Sequence, residues 1–148
     1  MFMNNWRAAL GKSGEELVRR VLLSKHDLVE EAAWYDSQKD GVVDSKQYEV
    51  KTLMENYAYH AFILGSSQWT KCENVDRLFF VRIPEVEAPI RIYECPKSYR
   101  QPTHVFMNGD NCRVFRLTKL NLYDTIHDEK LGEYWRSLTK TKYMRNKS

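Results

Sequence analysis

The chain has 148 residues, of which 43% are hydrophobic, and its net charge is +3. That fits one globular domain, 1–148, with a real core. No apolar run is long enough to cross a bilayer, and the start, Met1 to Trp6, lacks the charged and apolar regions of a signal peptide. The three cysteines, Cys72, Cys95 and Cys112, are widely spaced, odd in number and without a CxxC pair. This disfavours a zinc site or a disulfide framework and points to reduced thiols in a cytoplasmic compartment, not a secreted protein.

Helical spacing of Leu17, Val18, Val21 and Leu22 predicts a first helix from Ser13 to Ser24. Leu28 to Tyr35 reads as a strand or extended approach. A β-hairpin follows over Asp40 to Lys51, its second strand running on through Thr52 to Met54. Glu55 to Tyr59 is ambiguous, and His60 to Leu64 reads as a strand or a helix lead-in. Ser66 and Ser67 are N-cap candidates for a helix holding Gln68, Trp69, Lys71 and Cys72. The apolar run Leu78 to Val81 predicts a strand over Arg77 to Ile83, covered on both faces and ended by Pro84. Ile90 to Glu94 is a short strand, and Pro96 to Pro102 a loop. Val105 to Met107, Asn108-Gly109 and Arg113 to Leu117 form a second hairpin. A last helix spans Asp128 to Thr139, with Leu131, Trp135 and Leu138 on its apolar side. This order indicates an α/β sandwich with a mixed sheet.

The Asp40 hairpin carries the chemistry. Pairing Val43 with Tyr48 across a Ser45-Lys46 turn sets Val42 opposite Glu49 and Asp40 opposite Lys51. Residues two apart on a strand share a face. Asp40, Glu49 and Lys51 then converge on one face, and Val43, Tyr48 and Val50 on the other. Two carboxylates and an ammonium in so small an area are costly to desolvate. The arrangement makes sense where the carboxylates hold a hard divalent cation and the lysine serves the chemistry. The plain alternative is an exposed Lys–Glu ladder, which stabilises weakly. On the first helix, Glu15 and Glu16 are about 100° apart. With Val18 at the centre of the apolar face, Glu15 points inward beside Leu22 and Glu16 points to solvent. Glu15 either partners the Asp40 cluster or only favours the helix N-terminus.

In order, the helix with Gly11, Glu15, Val18, Val21 and Leu22, the acid Asp40, the Glu49-Val50-Lys51 strand, the Gln68-Trp69-x-Lys71 segment and the strand after Asp76 resemble the PD-(D/E)XK nuclease superfamily. The resemblance covers residues 1–83, and Lys39 stands where the motif's proline would be. Archaeal-type Holliday junction resolvases are similar in the first helix and the Glu-Val-Lys strand. The resemblance implies a restriction-endonuclease-like αβββαβ core with a mixed central sheet flanked by helices. It implies metal-dependent phosphodiester hydrolysis, with Mg²⁺, or Mn²⁺ in its place, held by Asp40, Glu49 and the Val50 carbonyl, and by Glu15 directly or through water. A metal-activated water would be the nucleophile, and Lys51 would orient it or stabilise charge on phosphorus. Gln68 either stands near the scissile phosphate with Lys71 on the next, or is a plain helix residue beside a core Trp69. Asp36 and Asp44 compete with Asp40 but have poorer geometry. The four histidines show no metal spacing, and only His60 lies close in sequence to the site.

The expected function is a Mg²⁺-dependent DNA endonuclease: a homing, mobile-element or phage enzyme, with a junction resolvase or a restriction enzyme as alternatives. Its substrate would be double-stranded DNA, and cutting both strands calls for a homodimer or larger assembly. Residues 84–148 would complete the fold and contact DNA through the Asn108-Gly109 hairpin and the tail. From Tyr134 onward the chain is basic and without acids. Lys71, Arg113, Arg116, Lys140, Lys142 and Arg145 are the candidate nucleic-acid contacts, with Lys97, Arg100 and Lys119 adding charge and Tyr93, Tyr99 and Phe106 free to stack or pack. The rival from another class is a catalytically inactive nucleic-acid-binding module of the same fold. RNA remains open as a substrate.

Overall fold

The computed structural model describes residues 5–25, 29–31 and 40–147. The chain begins with α1 (Asn5–Lys25), then β1 (Val29–Glu31), β2 (Gly41–Val43), β3 (Lys46–Leu53), β4 (Ala61–Leu64) and the single-turn α2 (Ser66–Trp69). β5 (Arg77–Arg82), β6 (Ile90–Cys95), β7 (His104–Met107), β8 (Asp110–Arg116) and β9 (Asn121–Ile126) follow, and α3 (Glu129–Lys147) closes the fold. No helix among the described residues is long and apolar enough to cross a membrane.

A six-stranded mixed sheet, ordered β1-β2-β3-β5-β6-β9, forms the middle layer. Among the described strands of this sheet, only β3 and β5 run parallel. Leu78, Phe79, Phe80 and Val81 of β5 are fully buried, because both faces of the sheet are covered. On one face, Phe79 and Val81 join Val43, Tyr48 and Val50 beneath Leu17, Val18, Val21 and Leu22 of α1 and Trp135 of α3. Each such aliphatic residue contributes roughly 1.5–3 kcal/mol by leaving water. The Trp135 indole N–H donates to the Ser13 hydroxyl at 2.9 Å and ties the two helices together. On the other face, Leu78 and Phe80 pack with Phe62, Leu64, Cys72, Cys95 and Phe115. Those residues come largely from a second, three-stranded sheet, ordered β4-β8-β7. The three cysteines are buried free thiols.

Several expectations change. Helix α1 starts two turns before Ser13. Gly14 therefore lies mid-helix, where a Cβ would lie 1.7 Å from Thr52 Oγ1, so glycine lets the helix approach β3. The β2–β3 turn is Asp44-Ser45, both at positive φ (51° and 66°), and Gly41 pairs with Tyr48, Val42 with Gln47 and Val43 with Lys46. The register therefore differs by two residues from a Ser45-Lys46 turn. An Asp tolerates the left-handed conformation that a two-residue hairpin turn demands. A two-residue slip keeps the parity, so the faces stay as expected. The strand after His60 belongs to the second sheet. Helix α2 ends at Trp69, before Lys71 and Cys72, and its N-cap is Gly65, with no side-chain cap. Strand β9 was not foreseen. Helix α3 runs eight residues past Thr139, and Asp128 caps it by accepting the Leu131 N–H at 3.0 Å. The Asn108-Gly109 hairpin turn is as expected, with φ of 53° and 75°. Of the strand expected over Leu28 to Tyr35, residues 28 and 32–35 lie outside the described residues, as do His26, Asp36 and Lys39.

Candidate active site

Strand β2 ends at Gly41, while β3 continues to Leu53. Past Tyr48, the partner of Gly41, this edge of β3 has no paired strand among the described residues. Asp40 fills that notch: its N–H donates to the Tyr48 carbonyl at 2.8 Å, and its Oδ2 accepts the Val50 N–H at 2.6 Å. A carboxylate has replaced a strand carbonyl in the ladder.

The notch lets groups from both faces of the sheet meet. Glu49 and Lys51 sit beside Leu78 and Phe80 in the parallel ladder, on the face toward the second sheet. Glu15 comes from α1 on the opposite face. Spacing of four along α1 aligns Arg7, Gly11 and Glu15 on one side of the helix, and all three line the same cleft as Asp40, Glu49, Val50, Lys51, Gln68 and Lys71. The cleft measures about 620 Å³. Glu16 is exposed to solvent.

Within the cleft, Lys51 Nζ lies 3.3 Å from Glu49 Oε2 and donates to Gln68 Oε1 at 3.0 Å. Both charged side chains are nearly buried, at 11% and 5% exposure. Glu49 Oε1 is buried with no hydrogen-bonding partner among the described residues. Burial, and then the charge of Asp40, push the Glu49 carboxyl up to about 7 against the pull of Lys51. Glu15 is pushed up to about 8, first by burial, then by its hydrogen bond to Asp40 and by the charges of Asp40 and Glu49. Glu15 and Glu49 thus crowd against Asp40, with Lys51 as the ammonium in direct contact with Glu49, and both are raised toward their protonated forms. Such a site has room for further positive charge.

The other expected residues separate. Lys71 is exposed on the cleft wall. Arg113, expected on a DNA surface, is buried: its guanidinium lies 2.9 Å from Glu73, donates to the Arg100 carbonyl at 3.1 Å and stacks 3.5 Å from the Trp69 ring centroid. Arg100 is likewise buried and donates to the carbonyls of Cys72, Val75 and Asp76. Arg116 is exposed but does not line the cleft. Lys140, Lys142 and Arg145 fall on the last turns of α3, and their side chains lie outside the described residues. Tyr93 is buried, the Tyr99 hydroxyl accepts the Arg116 N–H at 3.0 Å, and Phe106 is exposed. Asp44 stays at the turn, and His60 stands 3.9 Å from Glu55, outside the cleft.

Sequence reasoning missed Trp6, Arg7 and Thr139, which also line the cleft. The signal for the first two was present. Trp6 and Leu10, four apart, continue the apolar stripe of α1 backwards. Thr139 gave none, because only the packing of α3 brings it here. The chain matches no protein-family model and no curated protein.

Proposed function

We propose that the protein is a metal-dependent DNA endonuclease of the PD-(D/E)XK type. The observation that carries the reading is the meeting of Glu15, Asp40, Glu49 and Lys51 in one cleft, from both faces of the sheet, at the end of β2. The order α1-β1-β2-β3-β4-α2-β5, in which β4 joins the second sheet and β3 runs parallel to β5, supports the restriction-endonuclease-like arrangement. The short α2 and the inserted β4 are departures from a plain αβββαβ core.

The residues suit a hard divalent cation. Glu49 offers an orphaned oxygen, and Glu15 and Glu49 hold protons that a cation would displace. Among the described residues, no group of three or more His, Cys, Asp or Glu forms a ready metal cage. Mg²⁺ does not need one, because it takes one or two carboxylates and keeps several waters. Asp40, Glu49 and the Val50 carbonyl would hold Mg²⁺ or Mn²⁺, with Glu15 joining directly or through water. When bound, such an ion polarises a phosphoryl oxygen and makes water more acidic.

The chain's own groups do the rest. Lys51, held between Glu49 and Gln68, presents a fixed positive charge to the extra negative charge that develops on phosphorus. Gln68 keeps that ammonium aimed. Lys71 and Arg7, both lining the cleft, attract the flanking phosphates. One site cuts one strand, so double-strand cleavage takes two copies of the chain. The test is Lys51→Met, which removes the charge and keeps the length. Lost cleavage with retained duplex binding supports the role, and retained cleavage sinks it. The rival, an inactive binding module, predicts no metal-dependent cutting of any duplex, junction or single strand.

A further inference from the structure

A second set of polar links lies outside the cleft and joins the β7–β8 hairpin to α2. Asp110 opens β8, directly after the Asn108-Gly109 turn. Its Oδ2 accepts the Ser66 backbone N–H at 3.0 Å. Its Oδ1 accepts the Ser66 hydroxyl at 2.7 Å and the Asn111 N–H at 2.8 Å. These bonds hold the Asp110 carboxyl below its ordinary range. The approach needs glycine at position 65, where a Cβ would stand 2.7 Å from Oδ2.

The far end of α2 is held by the same hairpin. The Trp69 ring has the Arg113 guanidinium 3.5 Å from its centroid and the His104 ring, from the partner strand, stacked at 6.4 Å. Its indole N–H donates to the Asn111 carbonyl at 3.3 Å. A four-residue helix has almost no stability of its own, so the hairpin sets where α2 stands. Gln68, whose Oε1 takes the Lys51 hydrogen bond, sits between the two clamps.

We propose that Asp110 is a positioning residue: by gripping Ser66 it fixes α2 so that Gln68 keeps Lys51 aimed beside Glu49. Its consequence for cleavage rests on the nuclease reading; the geometric link to Lys51 does not. Small misplacements of a positioned group can cost about a hundredfold in rate.

The test uses the full chain and two readouts. In ¹⁵N-lysine-labelled protein, the Lys51 side-chain resonance is compared among wild type, Gln68→Ala and Asp110→Ala. Asp110→Ala is expected to move it in the same sense as Gln68→Ala. An unmoved resonance overturns the proposal, whether or not the protein cuts DNA. In single-turnover cleavage of a duplex with Mg²⁺, Asp110→Ala is expected to lower the rate roughly tenfold to a hundredfold, with duplex affinity unchanged. The double variant with Gln68→Ala should be no slower than Gln68→Ala alone, since both act through one link. Additive losses, or an undiminished rate, overturn it. Should Asp110→Ala fail to fold, Ser66→Ala removes only the 2.7 Å bond, and a smaller change in the same direction is expected from both readouts. A wild type that never cuts, with the lysine resonance still moved by Asp110→Ala, contradicts the nuclease reading and supports the clamp.

Discussion

The Asp40 carboxylate accepts the Val50 backbone N–H at 2.6 Å, in the place a neighbouring strand's carbonyl would take. One side chain therefore serves both the ladder and the cleft, and two substitutions separate these duties. Asp40→Asn keeps a carbonyl acceptor and loses the charge. It is expected to stay within about 1 kcal/mol of wild type while cleavage falls more than about a hundredfold. Asp40→Ala also orphans the N–H and should lose roughly 1–3 kcal/mol of stability as well. Urea denaturation beside a cleavage assay checks both, and equal stability of the two variants would count against the ladder role.

Two glycines of α1 should respond in opposite ways. At Gly14 a Cβ would lie 1.7 Å from Thr52 Oγ1, whereas at Gly11 it would meet nothing within 4 Å. Gly14→Ala should push α1 off β3, cost on the order of 1–3 kcal/mol and carry Glu15 out of the cleft. Gly11→Ala should stabilise by up to about 1 kcal/mol, the ordinary helical gain over glycine. Melting temperatures that move the same way in both variants would contradict this packing.

The metal-free protein should lose stability as pH rises. The folded Glu15 carboxyl holds its proton up to about 8, while in an unfolded chain glutamate releases it near ~4.3. Between those values the folded state binds more protons. Stability present below the unfolded pKa is then lost as pH rises through the folded one. Glu49, pushed up to about 7, acts in the same sense. Glu15→Gln cannot titrate there, so its melting temperature relative to wild type should climb between pH 5 and pH 8 in EDTA. Added Mg²⁺ should offset the wild-type loss, since only the deprotonated carboxylates bind it. A pH-independent difference between the two proteins would contradict the shared-charge account.

Lys71 and Arg113 looked alike in the sequence and should behave differently. Arg113→Ala breaks the ion pair with Glu73 and the stack on Trp69. It should lower stability by roughly 1–3 kcal/mol, since the hydrogen-bond partners of a buried guanidinium are lost while the Glu73 carboxylate keeps some access to water. Lys71→Ala should leave stability intact, weaken duplex binding, and reduce the salt slope of binding by about 1. Fluorescence anisotropy across a salt series, with melting curves of both variants, decides between these outcomes.

These contrasts show which parts of the molecule the sequence could reveal. The β5 run was legible because a strand covered on both faces is apolar throughout. Glu15 could be told from Glu16 because helical periodicity fixes direction. The register of the Asp40 hairpin was two residues off, yet the side-chain faces held, because strand alternation is insensitive to an even slip. Of the second sheet, the β7–β8 hairpin was legible from its Asn108-Gly109 turn, and the addition of β4 was not. Nothing in Ala61 to Leu64 says that its partner is Arg113-Val114-Phe115-Arg116 of distant β8 rather than β3, since pairing between remote segments is decided by packing. β9 escaped notice because it is an edge strand whose residues are all exposed or half-buried. The burial of Arg113 depends on Trp69, Glu73 and Arg100 arriving together, which no local pattern encodes.

The most direct test is nicking of supercoiled plasmid by the purified chain in Mg²⁺, Mn²⁺ and EDTA, with Asp40→Asn and Lys51→Met alongside. Cutting by the wild type in Mg²⁺ or Mn²⁺, abolished by EDTA and by either substitution while duplex binding persists, is the expected result. Wild-type protein that binds duplex yet cuts neither it, a junction nor a single strand with any added metal would contradict the assignment of this cleft to phosphodiester hydrolysis.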